Sequence, residues 1–152
     1  MKNKYKNKIE VILRAVVFDK GRILLCKSKS QDHYFLPGGH LEFGEKIDEA
    51  VKREFEEELK IKVKRIYFIG VADHIYDNKY TKEGERHHEI NLVYKTEIEK
   101  IKTESQEGHL EFALFTKEEF MKEKKIYPVA LKKQILKWLK DKKIFWISQI
   151  SK

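Results

Sequence analysis

Cysteine is almost absent from this 152-residue chain: the single one, Cys26, excludes an intramolecular disulfide. It lies in Ile23-Leu24-Leu25-Cys26 and reads as a small residue of a buried strand rather than a nucleophile. Long hydrophobic runs are missing too, and no apolar stretch is long enough to cross a bilayer. Residues 1–8 are basic and polar and lack the apolar stretch of a signal peptide. These absences point to a cytoplasmic protein that does not enter membranes. Only two prolines and seven glycines interrupt the chain, and it contains no repeat, linker or low-complexity tract. A single domain over residues 1–152 follows. Aromatic residues are not scarce. Nine Phe, seven Tyr and two Trp supply core surface although 38% of residues are charged.

The order of elements is mixed. Residues 9–18 read as a strand, Asp19-Lys20-Gly21 as a turn, and residues 22–27 as a strand returning in a hairpin. A short strand at 34–36 is stopped by Pro37-Gly38-Gly39. Apolar spacing predicts a helix over 47–59. Residues 61–76 read as a strand with Gly70 as a bulge, and 77–86 as a polar loop. Strands at 90–98 and 110–115 and a short helix at 117–124 follow. Pro128 suits the start of a helix that carries Leu131, Ile135, Leu136, Trp138 and Leu139 at helical spacing up to Lys143. Its lysines read as a solvated face; docking on a membrane surface is the lesser alternative. The apolar tail 144–147 is expected to pack on the domain or on a second subunit. This order argues for one α/β domain.

The net charge of +8 is unevenly spread. Residues 42–58 hold eight acids against three bases, a local charge of −5, which leaves +13 for the rest. Within the helix, Glu54, Glu57 and Glu58 are spaced i, i+3, i+4 and share one face. On a helical wheel, Glu54 and Glu58 fall within about 20° of Ile47, beside the apolar stripe rather than opposite it. Like charges crowded against a core are unfavourable unless something neutralises them. A hard divalent cation such as Mg²⁺, which takes oxygen ligands and phosphates, removes the conflict. Glycines at 38, 39 and 44, just before the helix, permit close approach of backbone to a ligand.

The segment 39–61, GHLEFGEKIDEAVKREFEEELKI, resembles the Nudix box. Gly39, Glu45, Arg53-Glu54, Phe55, Glu57-Glu58 and Ile61 stand at the box spacings, and Lys60 replaces the final glycine. That glycine ends the helix in a left-handed residue, so Lys60 is expected to cost local stability without touching the acidic ligands. The resemblance implies a Nudix-type α/β/α sandwich with a mixed β-sheet. It also implies Mg²⁺-dependent hydrolysis of a phosphoanhydride bond in a nucleoside diphosphate linked to another moiety, with Mn²⁺ as an alternative ion. By the same resemblance Glu54, Glu57, Glu58 and the Gly39 carbonyl hold the metal, while Arg53 and Glu45 orient them. Glu54, Glu107 and Glu111 are the candidate general bases.

Candidate substrate contacts are Tyr34, Phe35, His88 and Asn91, able to stack on or hydrogen-bond a nucleobase; packing at a sheet edge is the equal alternative. Tyr76 falls where dinucleoside-polyphosphate hydrolases of the family tend to carry a tyrosine. No HExxH motif or cysteine pair marks a zinc site. The partner implied is a small nucleotide, steered by the basic remainder, with an RNA 5′ end as an alternative substrate. A non-catalytic nucleotide or RNA sensor, and a monomer or homodimer, stay open.

Overall fold

The structure, a computed structural model, describes residues 8–78 and 85–150. Expectations placed on residues 1–7 and on 79–84 of the polar loop lie outside the described residues. The chain runs β1 (Ile9–Val16), β2 (Phe18–Asp19), β3 (Arg22–Ser28), β4 (Tyr34–Phe35), β5 (Gly38–His40), α1 (Ile47–Leu59), β6 (Val63–Asp77) and β7 (Arg86–Ile98). It ends with β8 (Leu110–Thr116), α2 (Lys117–Lys122), α3 (Val129–Asp141) and β9 (Phe145–Ile150).

Alternation along the strands builds two cores. Leu13 and Ala15 of β1 and Leu24 and Cys26 of β3 face one side; Val16, Ile23 and Leu25 face the other. Both sides are apolar, so both need a helical cover. Ala50, Val51, Phe55 and Leu59 of α1 close the first. Phe120 of α2 and Leu131, Ile135 and Trp138 of α3 close the second. The result is an α/β/α sandwich. Its main sheet has the order β5-β1-β7-β6-β9. It is mixed: β1–β7 and β6–β9 are parallel, β5–β1 and β7–β6 antiparallel. In the smaller sheet β3 pairs with β8 along its length and with β2 and β4 at its two ends. No helix among the described residues is long and apolar enough to cross a membrane.

Several elements differ from expectation. The hairpin exists only where Phe18–Asp19 meets Arg22–Ile23, across a turn with positive φ at Lys20 and Gly21. The rest of β1 belongs to the main sheet. Gly38-Gly39-His40 does not merely stop a strand but forms one, paired with Arg14, Leu13 and Ile12. The tail is the edge strand β9, lying parallel to β6. Gly70 does mark an irregularity, a register shift after Phe68. Lys60 is left-handed at φ 54°, and its N–H closes the end of α1 on the Glu56 carbonyl.

Candidate active site

The carboxylates are brought together by β5 and α1. Arg53 is the hub of the cluster. Its Nε and Nη2 donate to the two oxygens of Glu45 at 2.7 and 3.1 Å, and its Nη1 donates to Glu54 at 2.8 Å. Nη1 also reaches Glu57 at 3.4 Å, and Nη2 donates to the His40 carbonyl at 3.2 Å. The guanidinium therefore ties the loop before α1, strand β5 and the acidic helix face into one unit. Its hydrogen bonds, first that to Glu45, hold Arg53 firmly protonated. In return they keep the Glu45 carboxyl below the usual carboxylate range.

Glu54 stands against Gly39, where a Cβ would overlap its carboxylate. Burial pushes its pKa up, against the hydrogen bond and charge of Arg53. Glu58 is deeper, 7% exposed, and its Oε2 is buried without a hydrogen-bond partner among the described residues. Burial, then the charges of Glu54 and Glu107, push its pKa up to about 8. A buried carboxylate beside a second one can take up a proton or a hard cation. Glu57 is at the open side of the cluster, its side chain 52% exposed. Glu54 is turned to Arg53 and Glu57 to solvent, and among the described residues no three acidic, His or Cys side chains already converge as a metal-holding group.

Glu107 joins the cluster from outside the helix: its charge acts on both Glu54 and Glu58. A Ser105 hydroxyl turn shapes its loop, and Gln106 N–H donates to the Glu58 carbonyl at 2.8 Å. Glu111 is elsewhere. It alternates with buried Leu110 and Phe112 on β8 and pairs with Lys27 at 3.8 Å.

Of the four candidate substrate residues, Phe35 and Asn91 both contact Arg14, and the four do not form one cluster. Tyr34 and Phe35 are consecutive on β4 and pack on opposite cores. His88 and Asn91, three apart on β7, also face opposite sides of the main sheet. His88 pairs with Asp73 at 2.8 Å. Asn91 is fully buried, accepts from Arg14 Nε at 3.0 Å and donates to the Ala72 carbonyl at 3.2 Å. It belongs to a polar network that sequence reasoning missed. Glu10 bridges His40 at 2.9 Å and His87 at 2.8 Å; Tyr76 donates to Glu89 at 2.7 Å and stacks between His74 and His87. The signal was present in β1, where Glu10 and Arg14 interrupt an apolar strand on one face. Arg14 also lies over the Phe35 ring, 5.5 Å from its centroid. Cys26 is buried with its thiol pKa pushed up to about 12 by burial, so it is a core residue.

The family model described as NUDIX domain matches residues 9–139. The chain belongs to the Nudix family. Its fold is shared by the mutator MutT protein of Bacillus halodurans, at 22% identity over 93% of this chain and 89% of that one, TM-score 0.63. A Nudix hydrolase of Nitrosomonas europaea has 16% identity over 93% and 78% of the two chains, TM-score 0.66. An ADP-ribose pyrophosphatase of Streptococcus suis has 14% identity over 92% and 98%, TM-score 0.55. Within this Nudix chain β9 follows the last residue that the family model matches.

Proposed function

We propose that this Nudix chain is a hydrolase of nucleoside-diphosphate derivatives, cutting a phosphoanhydride bond with Mg²⁺ or, alternatively, Mn²⁺. The observation that carries the reading is the buried, unpartnered Oε2 of Glu58 beside Glu54. An oxygen so placed fits a cation ligand. Glu54, Glu57, Glu58 and the Gly39 carbonyl would hold the ion. When bound, it neutralises phosphate oxygens and makes a water acidic enough to attack phosphorus.

The chain's own groups do the rest. Arg53 fixes the Glu54 carboxylate through one oxygen and leaves the other for work. Glu54 and Glu107, whose charges both act on Glu58, are the candidate acceptors of the attacking water's proton. Glu111, engaged with Lys27, is the weaker candidate. Arg14, over Phe35 and next to Glu89, is a cation within reach of the cluster, since its charge acts on Glu58. The structural neighbours include an ADP-ribose pyrophosphatase, a name that agrees with a diphosphate linkage.

The test is nucleoside monophosphate or phosphate release from a panel of nucleoside-diphosphate derivatives and a triphosphorylated RNA end, with Mg²⁺ and then EDTA. Cleavage of a member that EDTA stops supports the reading and names the substrate group. Binding without any cleavage identifies a sensor instead.

A further inference from the structure

β9 is the outermost strand of the main sheet, and it is unusual for an edge. Phe145-Trp146-Ile147-Ser148-Gln149-Ile150 contains no charge, no proline and no glycine in a chain that is 38% charged. Natural edges are normally blunted by lysine, proline, a bulge or shortness. The opposite edge, β5, is only three residues long. β9 pairs with β6 on one side, and among the described residues the order of the sheet gives it no neighbour on the other. Its outward residues are large: Trp146 is 79% exposed and Ile150 64%. The inward ones are accounted for. Phe145 belongs to the second core, and Gln149 accepts from the Ala130 N–H at 2.7 Å.

We infer that β9 is an interface for a second copy of this chain, pairing antiparallel with its own counterpart about a two-fold axis at Ser148. Such an axis sets residue i against residue j and j against i. With Ser148 opposite itself, Trp146 meets Ile150 of the other copy, and Ile150 meets its Trp146. Aromatic against β-branched is a favourable cross-strand pair. It occurs twice, on the face where both side chains are now open to solvent. The main sheet then runs through both copies as ten strands.

Charge selects a self-copy over an arbitrary extended peptide. An isologous contact places every group near its own image, so a chain of net charge +8 repels itself wherever the patch is charged. β9 carries no charge; Asp73, bonded to Ser148 of its outward row, stands one strand further in on β6 and is hydrogen-bonded to His88 at 2.8 Å. The apolar row extends beyond the strand through Ile144, 68% exposed, and Phe68, 43% exposed.

The experiment is sedimentation velocity on the full chain over a wide concentration range, with circular dichroism to confirm folding of each variant. The wild type is expected at twice the chain mass. Trp146→Lys with Ile150→Lys sets lysine against lysine on both sides of the axis and is expected at the chain mass. Trp146→Lys with Ile150→Glu sets lysine against glutamate twice and is expected to restore the dimer. A wild type that stays monomeric throughout overturns the inference, as does a dimer that survives the double-lysine change. Loss of the dimer in both variants overturns the Ser148 register. None of these readouts depends on catalytic activity.

Discussion

Arg53 grips both oxygens of Glu45, at 2.7 and 3.1 Å, across eight residues of chain. This contact joins the loop before α1 to the middle of that helix. Through its other nitrogens Arg53 also holds Glu54 and the His40 carbonyl. The loop, β5 and the acidic face are thus held to one another; on the proposed function, Arg53 would act as the partner behind a metal site that orients its ligands.

Arg53→Lys therefore tests orientation rather than charge. A lysine keeps the cation but cannot fork between two carboxylates. We expect kcat/KM and Mg²⁺ affinity to fall by about 10–100-fold, with an unchanged circular dichroism spectrum. Turnover and metal titration equal to wild type would show that Arg53 is only a surface partner.

Gly38 and Gly39 separate stability from function. A Cβ on Gly38 would strike the Leu13 carbonyl, and its φ of 150° disfavours any side chain. Gly38→Ala should lower thermal stability, by on the order of 1–3 kcal/mol from the backbone alone. The atoms nearest a Cβ on Gly39 are the end of the Glu54 side chain, which is flexible enough to shift. Gly39→Ala should keep its melting temperature yet lose turnover, on the order of a hundredfold for a ligand moved by about 1 Å. Melting and activity assays on the pair check this; equal behaviour of the two variants would contradict it.

The parts legible in the sequence were those with a period. Apolar spacing outlined α1 to the residue, and the wheel placed Glu58 at the core edge, where it is 7% exposed. Apolar and β-branched composition found the long strands, although β7 begins at Arg86, four residues before the expected strand. Short elements escaped because three glycine-rich residues, Gly38-Gly39-His40, carry no pattern; only the facing backbone of β1 makes them a strand. β9 escaped because it pairs with β6, about seventy residues earlier in the chain. Adjacent substrate candidates part for the same reason that strands are readable. Neighbours such as Tyr34 and Phe35 point to opposite faces. The network around Glu10, Arg14 and Glu89 needs three strands in register, which no single segment displays.

Lys60 offers a stabilising change. It occupies the left-handed conformation at φ 54° that glycine adopts without strain. Lys60→Gly relieves roughly 1 kcal/mol of that strain, worth about 2–4 °C in melting temperature for a domain of this size. The side chain gives up little, since its contact with Glu56 is 3.8 Å long with both groups more than half exposed. The Lys60 carbonyl still accepts from Lys102. Turnover should match wild type. A lower melting temperature would mean that the lysine contributes more than its cap position suggests.

Glu58 gives stability a dependence on pH that a cation should remove. Its folded-state pKa is raised to about 8 from an ordinary value of 4.5, chiefly by burial and next by the charge of Glu54. Between those two values the folded chain keeps a proton that the unfolded chain has lost. The stability Glu58 contributes is therefore complete below 4.5 and disappears as pH rises through about 8. Without divalent ions, the melting temperature of the wild type should decline across this window relative to Glu58→Gln, which cannot titrate. On the proposed function, Mg²⁺ would compete with the same proton and bind the folded chain alone. It should raise the melting temperature of the wild type most at the alkaline end, by mass action, and barely affect Glu58→Gln. Melting curves at several pH values, with Mg²⁺ and with EDTA, read both effects. Parallel profiles for the two proteins would remove Glu58 from the ion's ligands, and with it the observation on which the proposed chemistry stands.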